Sequence, residues 1–223
     1  MDYSPIWISL RTAAASTVIT FVLGILAAWL CVGVKSKRKK AVLDGILTMP
    51  LVLPPTVAGF FLLYIFGAKR PVGEFIETVF GIKIAFSWVA TVISATVVSF
   101  PLMYRSAKSG FEQIDQSMID EAKMMGLSDF GILVYILVPC TLPSIISGTV
   151  LSLTRGLGEY GATAMLAGNI AGKTRTLPLA VYSAVAAGRM DEAWIYVVVI
   201  LAVAFTAVFI MNCFGDRGGT VRL

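Results

Sequence analysis

Histidine is absent from the 223 residues. With it go the commonest general base and the commonest metal ligand. Charge is scarce too. Asp, Glu, Lys and Arg make up 14% of the chain, against roughly 25% in a soluble domain. There are three cysteines, Cys31, Cys140 and Cys213, each in or beside an apolar run. An odd count without framework spacing argues against structural disulfides and against a metal site. No paired-carboxylate or cysteine constellation stands in for the missing imidazoles, so no catalytic residue and no metal ligand is assigned, and a membrane enzyme finds little support.

Hydrocarbon fills the space that these absences leave. The chain is 57% hydrophobic with a mean hydropathy of +0.86. Five apolar runs stand out, at about 12–34, 41–66, 84–104, 144–166 and 193–214. Each is long enough, at about 1.5 Å per residue, to cross a hydrocarbon core of about 30 Å. Single spans satisfy their own backbone only as helices. The expected class is an all-α integral membrane protein, one domain over 1–223. The first run is expected to be retained. A cleaved signal needs basic residues before its apolar stretch, whereas KSKRKK (35–40) follows it.

That basic cluster orients the chain. Cytoplasmic loops carry the excess of Lys and Arg, so the amino terminus is expected outside and the tail GDRGGTVRL inside. Residues 105–143 then face the cytoplasm. The outer loops also hold bases, among them Lys173 and Arg175.

Two runs carry interruptions. MPLVLPPTVAG (49–59) holds Pro50, Pro54 and Pro55, and proline both removes a donor and kinks a helix. In lipid such breaks persist where protein or a water-filled cavity satisfies the freed groups, so a bent helix near a pathway is expected. The fourth run contains TRGLGEYGAT, with Arg155 and Glu159 four apart on one helix face. A charge at mid-membrane costs about 2.5–3.5 kcal/mol, and such residues pair or face a cavity. A structural ion pair is the alternative. Arg155, Gly156, Gly158, Glu159, Tyr160, Gly161 and Thr163 are the candidates for a translocation path or gate.

Two nucleotide motifs fail on context. GLGEYG spells the dinucleotide pattern at the end of a membrane run with no strand before it, and GNIAGKT leaves three residues, not four, between its glycines. No nucleotide site is assigned to this chain.

The segment 115–139, DQSMIDEAKMMGLSDFGILVYILVP, is unlike the rest. Ser117 or Asp115 suits an N-cap, Met118, Ile119, Ala122 and Met125 recur at helical spacing, and Gly126 suits a helix end. Ser128 or Asp129 opens a second helix that stops at Pro139. Over 112–129 five acids stand against one lysine. A helix lying on lipid is rich in Lys and Arg, so two angled helices that dock a soluble partner are expected.

This segment resembles the EAA motif of permease subunits from binding-protein-dependent ABC importers. After nine intervening residues Gly126 is followed by Ile136, then Leu137, Val138 and Pro139; upstream, Asp120, Glu121 and Ala122 occupy the Glu-Ala-Ala positions. The acid is shortened, a second acid replaces the first alanine, and Val138 departs once more. The stretches PLVLPPTVAG, SFPLMYRSAKSGFE and above all 156–182 resemble the molybdate branch, with tungstate and sulfate permeases as related alternatives. The resemblance implies a type I importer fold and a homodimer in the cytoplasmic membrane. It implies two cytoplasmic ATPase subunits that hold ATP and Mg²⁺, an external oxyanion-binding protein, and no cofactor on this chain. It also implies an ATPase-coupling role for Asp120, Glu121, Ala122, Gly126, Ile136 and Pro139. A secondary carrier is the rival of another class; it calls for internal repeats and ion-coupling acids.

Overall fold

The computed structural model describes residues 2–215, with side chains to Asn212. The rest of the tail, the expected side of the carboxyl terminus, and the Cys213 side chain lie outside the described residues. Among those described there is no strand. The helices are α1 (Ser4–Val32), α2 (Lys37–Val52), α3 (Pro55–Phe66), α4 (Pro71–Phe80), α5 (Trp88–Phe111), α6 (Gln116–Met124), α7 (Asp129–Ile132), α8 (Val138–Cys140), α9 (Leu142–Leu157), α10 (Gly161–Leu166), α11 (Leu177–Ala186) and α12 (Met190–Gly215). A π-helical turn, Leu133–Leu137, joins α7 to α8.

Among the described residues three helices, α1, α5 and α12, are long and apolar enough to span a membrane unbroken, and two bent pairs raise the number to as many as five. The second run is not one kinked helix. α2 and α3 meet at 109°, because Pro54 and Pro55 cannot donate and Leu53 takes the extended conformation that a following proline imposes. The fourth run, expected over 144–166, ends as a helix at Leu157. Gly156 and Gly158 weaken the helix there, and the chain breaks over 158–160 before α10 begins. The third run starts at Trp88 rather than Ile84 and continues to Phe111; residues 84–87 form a turn in which Phe86 adopts φ +59.

Helix α1 packs along α5 and α9 through small and hydroxylated residues. Ser9, Thr12, Ser16 and Thr20 are all buried, spaced three or four apart on one face. Between apolar helices in lipid the hydrophobic effect supplies no drive, and close approach with interhelical hydrogen bonds holds them. Thr12 and Thr91 share a hydrogen bond of 2.8 Å between their hydroxyls, Trp88 Nε1 donates to Thr12 Oγ1 at 3.1 Å, and Ser152 Oγ donates to the Ser99 carbonyl at 3.3 Å. Val18, Val22, Leu30, Val198, Leu201 and Phe205 point outward and are exposed, as suits side chains whose solvent is hydrocarbon.

At the end of the bundle that carries α6, a charged ladder ties α2 to α5. Lys108 Nζ lies 3.1 Å from Asp44 and 3.8 Å from Glu112, Lys40 lies 2.8 Å from Glu112, and the Tyr104 hydroxyl donates to Asp44 at 2.8 Å.

Candidate functional site

Two places gather the candidate residues. The first is the elbow over 115–140. Asp115 caps α6 by accepting the Ser117 N–H at 3.0 Å. Hydrogen bonding from Ser117, its amide above all, holds the Asp115 carboxyl below the usual carboxylate range. Helix α6 ends at Met124, and Gly126 closes the turn after it with a φ of +86 that is strained for any side chain. Across this turn Lys123 pairs with Asp129 at 3.3 Å, and Ser128 caps α7 by accepting the Gly131 N–H at 3.1 Å.

The three residues of the acidic motif diverge in role. Ala122 is 1% exposed and packs with Phe111, Ile132 and Leu133 in the core, so a small residue seats α6 against the bundle. Asp120 accepts a hydrogen bond from Gln116 Nε2 at 3.0 Å. Glu121 is exposed and forms no ion pair among the described residues. Around these acids Met118, Met124, Met125, Phe130 and Tyr135 are all exposed. Flexible thioethers and aromatic rings beside acids make an adaptable protein-binding surface.

Beyond the turn, Ile136 packs against the core while Pro139 is exposed. Pro139 has no N–H to give the Tyr135 carbonyl, and the preceding turn widens: Val138 N–H bonds to the Leu133 carbonyl, five residues back. Thr141 then marks a corner of 81° into α9, its hydroxyl donating to the Leu137 carbonyl at 2.6 Å. The elbow is thus continuous with the fourth span.

The second place is where the two broken spans cross. A Cβ built on Gly59 of α3 would stand 2.7 Å from Ala162 Cα of α10, so the backbones touch there and only glycine fits. One turn away Gly161 meets Pro55. Glu159 lies in the break itself and is 2% exposed. Its Oε1 accepts the Ala162 N–H at 2.7 Å, supplying one partner that the missing helical turn would have given. Its Oε2 lies 2.8 Å from Arg155 Nη1, close enough for an ion pair but without an aligned hydrogen bond. On the far side, Gly158 and Tyr160 open onto a cavity of about 570 Å³ that runs between α11 and α12, with the Tyr182 ring tilted against Tyr160 at 5.4 Å between centroids.

The seven path candidates therefore separate. Arg155 and Glu159 form a staple across the break, and Gly158 and Tyr160 face open space. Gly156, Gly161 and Thr163 are buried at packing contacts, Gly156 against Ser16 of α1. The GLGEYG glycines lie in helix and break, not between a strand and a helix. GNIAGKT forms a turn after α10 with Gly168 and Gly172 at positive φ. No group of three or more His, Cys, Asp or Glu suited to a metal occurs among the described residues.

Sequence reasoning overlooked the ladder of Asp44, Tyr104, Lys108 and Glu112. Asp44 itself was the available signal, a lone carboxylate inside an apolar run that demanded a partner. It also overlooked Phe86, whose ring lies 3.0 Å from where a Cβ on Gly168 would sit and so clamps the turn after α10.

Paired broken spans and an elbow built into one of them are the architecture of a multi-span transport permease. The solved chain of a bacterial ABC transporter that imports the acidic polysaccharide alginate has the same fold, with a TM-score of 0.78 at 16% identity over 97% of this chain and 79% of that one. The chain belongs to the binding-protein-dependent transport system inner membrane components, whose family profile matches residues 20–217. Among its relatives are YvgM of Bacillus subtilis (strain 168), 43% identical over 94% of this chain and 92% of that protein. The molybdenum transport system permease protein ModB of Escherichia coli (strain K12) is 40% identical over 82% and 79% respectively.

Proposed function

We propose that the chain imports molybdate as a two-fold homodimer, driven by two ATPase subunits on the cytoplasmic side and loaded by an oxyanion-binding protein outside. The observation that carries the mechanism is the elbow. Its acids and methionines are exposed, Ala122 seats it on the core, and it turns directly into the fourth span. The ModB relatives support the cargo, and the basic stretch 35–40 supports an outside amino terminus. ATP and Mg²⁺ belong to the ATPase in this reading. Asp120, Glu121, Ala122, Gly126, Ile136 and Pro139 form or frame the docking element. Glu121 is the better contact, because Asp120 is already engaged by Gln116.

Closure of the ATPase pair pushes the elbow, and the corner at Thr141 passes that motion to α9. The break at 158–160 and its crossing with α3 then rearrange between two packings, which is what alternating access requires. Arg155, Gly158, Glu159 and Tyr160 line or staple the gate; Gly156, Gly161 and Thr163 set how closely its helices approach. Lys173 and Arg175 attract the dianion or meet the binding protein.

Uptake of radiolabelled molybdate into vesicles holding the whole complex tests this, with tungstate and sulfate as competitors. Molybdate accumulation that depends on ATP and the binding protein is expected. Uphill transport by the purified permease alone, or labelling of Glu121 from the outer face, would overturn it.

A further inference from the structure

Resting on the oxyanion-import reading, we propose that a second cleft, at the elbow end of α5 and α9, is a contact site for a tetrahedral oxyanion as it leaves the permease. The cleft has a volume of about 530 Å³ and is lined by Arg105, Ser106, Ser109, Pro143, Ser144 and Ser147. Among the described residues one arginine and four serines line it, and no carboxylate does. Arg105 is exposed and forms no ion pair among the described residues. Asp44, on the neighbouring α2, is already held by Lys108 and Tyr104. Among the described residues, of the four serine hydroxyls only that of Ser109 meets another side chain, Gln113 Nε2 at 3.4 Å. The donors are therefore uncommitted.

Register explains the convergence. Arg105 and Ser109 are one helical turn apart on α5, as Ser144 and Ser147 are on α9. Gly148 against Ser106, and Gly110 against Thr141 and Ser144, bring the two helices close enough for both rows to face one space. A planar guanidinium fork matches adjacent oxygens of a tetrahedral anion, and serine hydroxyls rotate to donate to the others. An exposed site of this kind binds weakly and exchanges fast, which suits a release step better than a holding one.

The cleft also lies next to the moving part. A cavity of about 400 Å³ shares Pro143 and Ser144 with it and extends to Asp115 and Met118 of the elbow. Displacement of α6 alters the same walls.

The headgroup of an anionic phospholipid, with no cation of its own to balance its phosphate, offers similar chemistry, and the test separates the two sources. Ser144→Cys is introduced with Cys31, Cys140 and Cys213 replaced by serine, and the permease–ATPase complex is placed in phosphatidylcholine nanodiscs. The rate of modification by N-ethylmaleimide is followed with and without molybdate, at matched ionic strength. Molybdate at twice its dissociation constant should slow labelling about threefold. Arg105→Gln should abolish the protection, and Ser106→Ala with Ser147→Ala should weaken it if Arg105→Gln does not assemble. Absent protection in a complex that accumulates molybdate when placed with its binding protein in sealed vesicles would overturn the cleft proposal and leave the import reading standing. So would equal protection in Arg105→Gln, or slowing produced only by phosphatidylglycerol in the discs. A complex that accumulates no molybdate would remove the import reading itself, and the cleft proposal with it.

Discussion

Replacing Arg155 with methionine keeps most of the side chain's length and removes its charge. The partner, Glu159, is 2% exposed, and its Oε2 has no other donor among the described residues. Leaving a buried carboxylate without its counterion costs about 3–5 kcal/mol. Arg155 is itself 30% exposed, so water already shares in the pair and the lower end of that range is expected. At about 2–4 °C per kcal/mol for a chain of this size, melting should fall by about 6–12 °C. Glu159→Gln should cost far less. Its amide oxygen still accepts the Ala162 N–H, and the freed guanidinium can turn toward water. The double variant should therefore recover most of the stability lost by Arg155→Met alone. The assay is thermal unfolding of the purified permease in one detergent, run as a double-mutant cycle. If the double variant melts no higher than Arg155→Met, the contact works through packing, and the account of Glu159 as a buried charge held by Arg155 is refuted.

Other outcomes follow from single positions. Gly126→Val places a β-branched residue at φ +86 and should cost about 1–2 kcal/mol in the turn; ATP hydrolysis by the complex should lose its stimulation by loaded binding protein while the ATPase subunits alone are unaffected. Gly59→Val meets Ala162 Cα below 3 Å and should separate α3 from α10; transport should fall more than tenfold, read as uptake normalised to permease abundance. Asp44→Asn leaves Lys108 without that carboxylate at the α2–α5 contact; protease or cysteine-labelling access to residues 35–44 should increase, with uptake reduced less than in Gly59→Val.

Apolar length and the basic stretch were enough to read an all-α membrane chain from its residues, because lipid imposes one backbone solution on each run. The caps of the elbow were also within reach, since Asp115, Gly126 and Ser128 act through their own neighbours. The breaks were not. Three prolines announced a bend in the second run but not its 109°, which depends on where α3 finds a partner. The end of α9 at Leu157 was harder to place, because Gly158 and Gly161 weaken a helix without fixing where it stops. It exists because α10 has α3 to lie against and Glu159 to cap it, and both are tertiary facts. The candidates Gly156, Gly161 and Thr163 were picked out by composition at a conspicuous spot, and their burial in helix contacts follows from packing that no spacing encodes.

In α1 and α12 a backbone hydrogen-bond ladder runs the length of the helix, and in α5 it lacks only the bond that Pro101 cannot donate. In the second and fourth spans it stops, at Leu53–Pro54 and at 158–160. A push on either of these spans cannot travel end to end along peptide bonds held in register. It must pass sideways, through the contact of Gly59 with Ala162 and the grip of Arg155 on Glu159. Stiff posts beside jointed rods leave the two halves of each broken span joined through a few side-chain contacts, and at Gly59 even one added methyl group has no room.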